Sequence, residues 1–257
     1  MAERRGLGMP FAVSDSIDST SPEAAVAAAG DPPADRGRQQ VAVFDFDGTS
    51  MNGNSPVILV RYMTLRGMLR PSVVLRIGLW ATAYKLRLPQ SESWVRGLVF
   101  SAFEGKPADE VDRFLTEFYD RKIERRFRPA ADAEMRRLSS EGVDVVVVSA
   151  TFEPIILRAM ESHPIKYQAS TRMKIAEDGT YTREVDGECV EGEAKLTALN
   201  ELCDRVYGKD GWELLHAFGD HHSDRALLRA AKHAHAVTPD RPLRRTARAE
   251  DWSNLDW

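Results

Sequence analysis

Two carboxylates stand one residue apart at the end of an apolar run, Val41-Ala42-Val43-Phe44-Asp45-Phe46-Asp47-Gly48-Thr49-Ser50. In an extended chain Asp45 and Asp47 share a face and Phe46 takes the other. Each carboxylate raises the other's pKa unless a cation neutralises the pair. Mg²⁺ suits that task, because it favours a few carboxylates together with waters and a substrate phosphate. An aspartate can also attack phosphorus as a covalent nucleophile, which would leave its neighbour to act as general acid and base. The plainer alternative is an acidic strand-to-turn junction, since Asp and Gly are common turn residues.

Three further segments carry matching chemistry. Asp220 and Asp224 lie in Gly219-Asp220-His221-His222-Ser223-Asp224 after an apolar run, and a helix starting in that turn would bring both toward one cation. An acidic first turn that complements the helix dipole is the alternative. His221 and His222 have no companion Cys or His at ligand spacing, so oxygen ligands and Mg²⁺ are expected there rather than imidazole ligation. Ser149-Ala150-Thr151 follows the run Val143 to Val148 and precedes a predicted helix, whose first N–H groups would bind an anion or simply be capped. Lys195 sits in the first turn of another predicted helix, where a cation opposes the dipole unless an anion such as phosphate compensates. The set supplies a nucleophile, an acid/base, metal ligands and a phosphate clamp, as phosphoryl transfer requires.

The elements that must position these residues alternate. After Thr49 the pattern turns helical through Val57 to Arg70, Ser72 to Leu88, Ser91 to Phe103 and Ala108 to Arg126, punctuated by Pro71, Pro89 and Pro107. A helix over Pro129 to Glu141 then precedes the near-continuous Val run, which suits a parallel strand covered on both faces. A helix over Glu153 to Ser162, a β excursion within Lys166 to Val190 turning at Asp178-Gly179, and a helix over Gly192 to Tyr207 come next. A strand over Glu213 to Phe218, a helix over Ser223 to Lys232 and a strand over Ala234 to Val237 complete the order. This alternation predicts an α/β fold, a doubly wound, Rossmann-like parallel sheet core with an inserted α-helical cap. The expected division is 1–39 as a disordered N-terminal extension, 40–51 and 128–257 as the core, and 52–127 as the cap.

The 257 residues suffice for one large domain with an insertion. A net charge of −4 gives no basic field for nucleic acid. Two cysteines, Cys189 and Cys203, make no disulfide framework and are compatible with a reducing compartment. No run reaches the length of a membrane span, so a cytoplasmic protein is expected.

The ordered motifs resemble those of haloacid dehalogenase-superfamily phosphatases, in the phosphoserine-phosphatase-like branch with a helical cap after the first strand. The resemblance covers roughly residues 41 to 240 and rests on Asp45-Phe46-Asp47-Gly48-Thr49, Ser149-Ala150-Thr151, Lys195 in Gly192-Glu193-Ala194-Lys195, and Gly219-Asp220 with Asp224. The Lys166 to Val190 region and Val237 to Arg244 are also similar to that branch. It implies that Asp45 forms an aspartyl-phosphate, and that Asp47 protonates the leaving oxygen and later activates water. Ser149, Ala150 and Lys195 would surround the phosphoryl group. Asp45, the backbone carbonyl of Asp47, Asp220 and Asp224 would hold Mg²⁺. The implied partner is a small-molecule phosphate ester or a phospholipid head group.

Two departures bear on the substrate. No acid occurs between Asp47 and Glu92, where phosphoserine phosphatases place the glutamate that meets the substrate amino group, and the second motif reads Ser-Ala-Thr rather than Ser-Gly-Gly. The acid-free stretch instead carries Arg61, Arg66, Arg70, Arg76, Lys85 and Arg87 among apolar residues that include Trp80 and Tyr84. A basic, apolar helical surface is compatible with peripheral contact to an anionic membrane. The preferred reading is packing, with the apolar residues forming the cap's own core. The competing functional class is a non-catalytic phosphate- or membrane-binding module on the same fold.

Overall fold

The computed structural model describes residues 37–69 and 99–257. The expected N-terminal extension up to residue 36, the helix over Ser72 to Leu88 and the residues Arg70, Arg76, Trp80, Tyr84, Lys85 and Arg87 lie outside the described residues.

Six parallel strands form the central sheet, in the order β3 (Tyr167–Thr171), β2 (Asp144–Phe152), β1 (Gln39–Phe44), β6 (Trp212–Gly219), β7 (His233–Val237) and β8 (Ser253–Leu255). Strand β1 begins within the stretch expected to be extension, and Val41 to Phe44 are completely buried. It pairs with β2 on one side and β6 on the other. Side-chain alternation splits this centre between two cores. Ala42, Phe44, Val145 and Val147 face one cluster, whereas Val41, Val43, Val146 and Val148 face the other. A strand buried on both faces cannot alternate apolar with polar residues, which is why the Val run looks continuous.

On the first face lie α3 (Pro129–Ser140) and α4 (Glu153–Ser162), contributing Met135, Leu138, Ile155 and Ile156. On the second lie α5 (Glu193–Tyr207), α6 (Arg225–Ala230) and α7 (Arg241–Ala249), contributing Leu199, Cys203, Leu227, Leu228 and Leu243. Strands β3 and β7 extend the sheet outward, and β8 closes it at the edge. Neither α7 nor β8 is among the elements expected from the sequence. Three residues with only one apolar side chain carry no period, and β8 exists because β7 offers it a ladder.

The segment between β1 and α3 is helical where described. Helix α1 (Ser55–Leu65) starts at Asn54, whose side chain accepts the Val57 N–H at 3.1 Å, with Pro56 in its first turn. It ends before the expected Arg70, because Gly67 adopts φ +66° and the Met68 N–H returns to the Met63 carbonyl at 3.0 Å. Residues 99–103 are helical. Helix α2 (Ala108–Phe118) continues through a π turn (Tyr119–Ile123) and a 3₁₀ turn (Glu124–Arg126), matching the single helical run predicted there.

The two chain segments joining this insert to the sheet lie side by side. The Asn52 N–H donates to the Arg126 carbonyl at 2.8 Å and the Arg128 N–H to the Ser50 carbonyl at 2.9 Å, with Met51 opposite Phe127 in an antiparallel bridge. The β excursion resolves into two parts. Strand β3 joins the main sheet, and a separate hairpin of β4 (Met173–Ile175) and β5 (Tyr181–Val185) turns at Gly179, φ +79°. That hairpin bonds to the insert through Gly105 N–H to Tyr181 O and Tyr181 N–H to Lys106 O, both 2.9 Å.

Phe44 and Phe218 stack across β1 and β6 at 4.1 Å with rings 8° from parallel, directly beneath the strand ends. Phe44→Ala is expected to cost about 3–5 kcal/mol of unfolding free energy. Urea denaturation followed by circular dichroism checks this, and a loss below ~1 kcal/mol would show that the centre repacks.

Candidate active site

The chain passes from β1 outward to β2 and β3 on one side and later crosses back to β6 on the other side of β1. Such a switch point opens a crevice beyond the carboxyl ends of the strands, and the expected residues gather there. The Asp45 N–H donates to the Phe218 carbonyl at 3.0 Å, carrying the β1–β6 ladder one residue past the strand. The chain then turns so tightly that the N–H and hydroxyl of Ser50 both donate to the Asp45 carbonyl, at 3.3 and 2.6 Å. Gly48 permits this turn with φ +81°, and a Cβ there would lie 2.0 Å from Asp220 Oδ2. Only glycine satisfies both demands. The Gly48 carbonyl accepts from Arg128 at 3.1 Å, and the same guanidinium donates to the Trp257 carbonyl.

The two aspartates of the first motif have different partners. Asp45 is 5% exposed, and its Oδ1 accepts from Lys195 Nζ at 2.6 Å. The same ammonium donates to Asp224 Oδ1 at 2.6 Å, and Asp224 is wholly buried. Asp47 is held by neutral donors. Its Oδ1 accepts the Ser55 N–H at 2.6 Å, and its Oδ2 accepts the Ser55 and Thr151 hydroxyls at 2.9 and 2.7 Å.

Carboxylates outnumber the single buried ammonium, and the titration behaviour reflects it. Burial drives Asp45 well above the usual carboxylate range; Lys195 offsets part of this, while Asp224 and Asp220 add to it. Burial, then the neighbouring Asp224, pushes Asp220 up to about 7 despite Lys195 and the Thr49 hydroxyl 3.3 Å away. Burial also raises Asp47, against the hydrogen bonds from Thr151 and Ser55. Burial alone would lower Lys195, but Asp224 and Asp45 outweigh it, and the amine is held protonated.

Carboxylate oxygens of Asp45, Asp220 and Asp224 lie within 4.8 Å of one another. An all-oxygen, net-negative set, in which burial and neighbouring carboxylates raise Asp45 and Asp220, fits a hard divalent cation. The Asp47 carboxylate is not part of this cluster.

Ser149 corrects one expectation. Strand β2 runs on to Phe152, so Ser149-Ala150-Thr151 belongs to the strand and not to the cap of the following helix, and α4 begins with no side-chain cap. The pairing of β2 with β3 slips between Ser149 and Phe152, where Ala150 and Thr151 sit. That irregularity lets Thr151 reach Asp47 while its N–H donates to Ser149 Oγ at 3.1 Å. Lys195, expected to need an anion at its helix start, finds two in Asp45 and Asp224. Sequence reasoning missed Ser55, whose contact with Thr151 at 2.9 Å spans 96 residues; the capped helix start beside the motif was the available signal.

A family model described as haloacid dehalogenase-like hydrolase matches residues 42–229. A probable phosphatase of Mycobacterium tuberculosis is 40% identical over 118 residues, which are 45% of this chain and 39% of that protein, so the chain spans well under half of that relative's length. A histidinol-phosphatase of Neisseria meningitidis is 24% identical over 225 residues, 85% of this chain and 99% of that protein. Among solved structures, a phospho-aspartyl intermediate analogue of phosphoserine phosphatase superposes with a TM-score of 0.57 at 20% identity, covering 86% of this chain and 93% of that one. It shares the fold.

Removing the Lys195 ammonium strands two buried carboxylates. Lys195→Ala is expected to lower stability by about 3–5 kcal/mol at neutral pH. Urea denaturation at pH 7 measures it, and an unchanged midpoint would mean the pairing contributes nothing.

Proposed function

The chain belongs to the haloacid dehalogenase-like hydrolases, and on that premise we propose that it is a Mg²⁺-dependent phosphomonoesterase working through an aspartyl-phosphate. The observation that carries the reading is the division of labour between two carboxylates at one strand end. Asp45 is aligned by a cation through one oxygen, while neutral donors hold Asp47, whose pKa burial raises.

Asp45 attacks phosphorus through the oxygen that Lys195 does not hold. The ester P–O bond breaks as the acyl-phosphate bond forms, and Asp47 gives its proton to the departing alkoxide. Water then attacks phosphorus and yields a proton to Asp47, and the acyl-phosphate P–O bond breaks to release phosphate and regenerate Asp45. Lys195 and the Ser149 hydroxyl donate to phosphoryl oxygens as charge builds on them. Asp45, Asp220, Asp224 and the Asp47 carbonyl would hold Mg²⁺, which when bound neutralises the phosphoryl group and the carboxylates around it.

Residues 52–127 act as a cap that selects the substrate, a small phosphate ester or phospholipid head group. Support comes from the absence of an acid between Asp47 and Glu92 and from relatives named for different esters.

Asp45→Asn is expected to abolish metal-dependent phosphate release from an aryl phosphate, and Asp47→Asn to slow it about 10²–10⁴-fold. Undiminished turnover in Asp45→Asn would overturn the mechanism.

The Asp220 carboxyl gives a second test. Its folded-state pKa is raised from 3.8 to about 7, so the metal-free folded chain binds more protons than the unfolded one between those two pH values. Its contribution to stability is therefore lost as pH rises through about 4 to 7. Mg²⁺ competes with that proton, so the gain in Tm on adding Mg²⁺ should grow from about pH 5 to about pH 8. A gain independent of pH in differential scanning fluorimetry would exclude Asp220 as a ligand.

A further inference from the structure

We propose that His221, His222 and Asp240 form a second metal site, which takes a divalent transition ion of the zinc class. The three side chains come from two turns. The first follows β6, and the second joins β7 to α7, where Asp240 caps the helix by accepting the Leu243 N–H through Oδ1 at 2.6 Å. The other carboxylate oxygen, Oδ2, faces both imidazoles, 2.9 Å from His222 Nδ1 and 3.6 Å from His221 Nε2. One ligand atom from each residue lies within 4.8 Å of the others.

These separations have the scale of a coordination shell. Ligands bound at 2.0–2.1 Å around a tetrahedral zinc stand roughly 3.3 Å apart, between the two observed distances. Two imidazoles with one carboxylate also make a familiar three-ligand zinc set, with a fourth position left for water. The nearby cluster of Asp45, Asp220 and Asp224 is all oxygen, so ligand softness separates the two sites: nitrogen donors select zinc-class ions, and carboxylates select Mg²⁺.

The surroundings also suit a ligand role. His221 Nδ1 accepts the Ser223 N–H at 3.4 Å and lies 2.9 Å from Ser223 Oγ, which fixes the ring with Nε2 toward Asp240. Asp240 is fixed from two directions, with its N–H on the Asp220 carbonyl at 2.9 Å and Oδ2 accepting the His222 N–H at 3.3 Å. The side chains of His221, His222 and Asp240 are 42%, 45% and 27% exposed, so an ion reaches them from solvent without passing the crevice. Sequence spacing hid this site because Asp240 lies 18 residues beyond His222.

The test is calorimetric titration of the full, metal-stripped chain with Zn²⁺ in a saturating excess of Mg²⁺, which keeps the carboxylate cluster filled and needs no turnover. One Zn²⁺ per chain is expected, weakened at least tenfold by His222→Gln and by Asp240→Asn, the latter keeping an oxygen to cap α7. His233→Gln should leave binding unchanged. Co²⁺ in place of Zn²⁺ should give a visible absorption band that His221→Gln removes. No Zn²⁺ binding above the Mg²⁺ background, or binding indifferent to both histidines, would overturn the site. Because binding is the readout, failure here leaves the phosphatase reading untouched, and failure of that reading leaves this one.

Discussion

The buried ammonium of Lys195 decides how the carboxyl end of the sheet is put together. Lys195 meets Asp45 and Asp224 at 2.6 Å each, and these three residues arrive from α5, the end of β1 and the turn after β6. Ion pairs at the surface contribute little because water screens both charges. Here water is excluded, so each charge depends on the others, and three otherwise independent segments are bound to one geometry. The packing below serves the same end, since Phe44 stacked on Phe218 sets the relative height of the two strands that carry Asp45 and Asp220.

One cation does not balance the carboxylates around it. The residual negative charge makes the cluster a site for added positive charge, whether as protons on Asp220 or as a divalent ion. Asp47 stands apart because hydroxyls and a backbone N–H hold it, so its proton affinity follows burial more than ion pairing. Two residues of the same type, one position apart, thereby acquire different chemistry from their partners alone.

Much of this was legible along the chain, for identifiable reasons. Asp45, Asp220 and the parallel strands before them could be read because buried parallel strands are continuous apolar runs and ligands gather at their carboxyl ends. Lys195 stood out as a cation at the wrong end of a helix. Thr151 and the shared oxygen of Asp240 could not be read that way. Their roles exist only once residues 18 to 104 positions apart become neighbours. Ser149 was misplaced because a hydroxylated triplet before a helix looks like a cap, whereas an interruption in strand pairing is set by the partner strand. Strand β8 was too short to carry a signal of its own.

The antiparallel pairing of Ser50–Asn52 with Arg126–Arg128 has a meaning beyond geometry. The insert leaves and rejoins the sheet at points one strand spacing apart, about 5 Å, so the sheet experiences it as little more than a hairpin turn. Beyond Ser55, which holds Asp47, its length and composition can therefore drift without moving the strand ends that carry Asp45 and Asp220. What the insert touches can thereby change on its own, while the sheet keeps the carboxylates where they are.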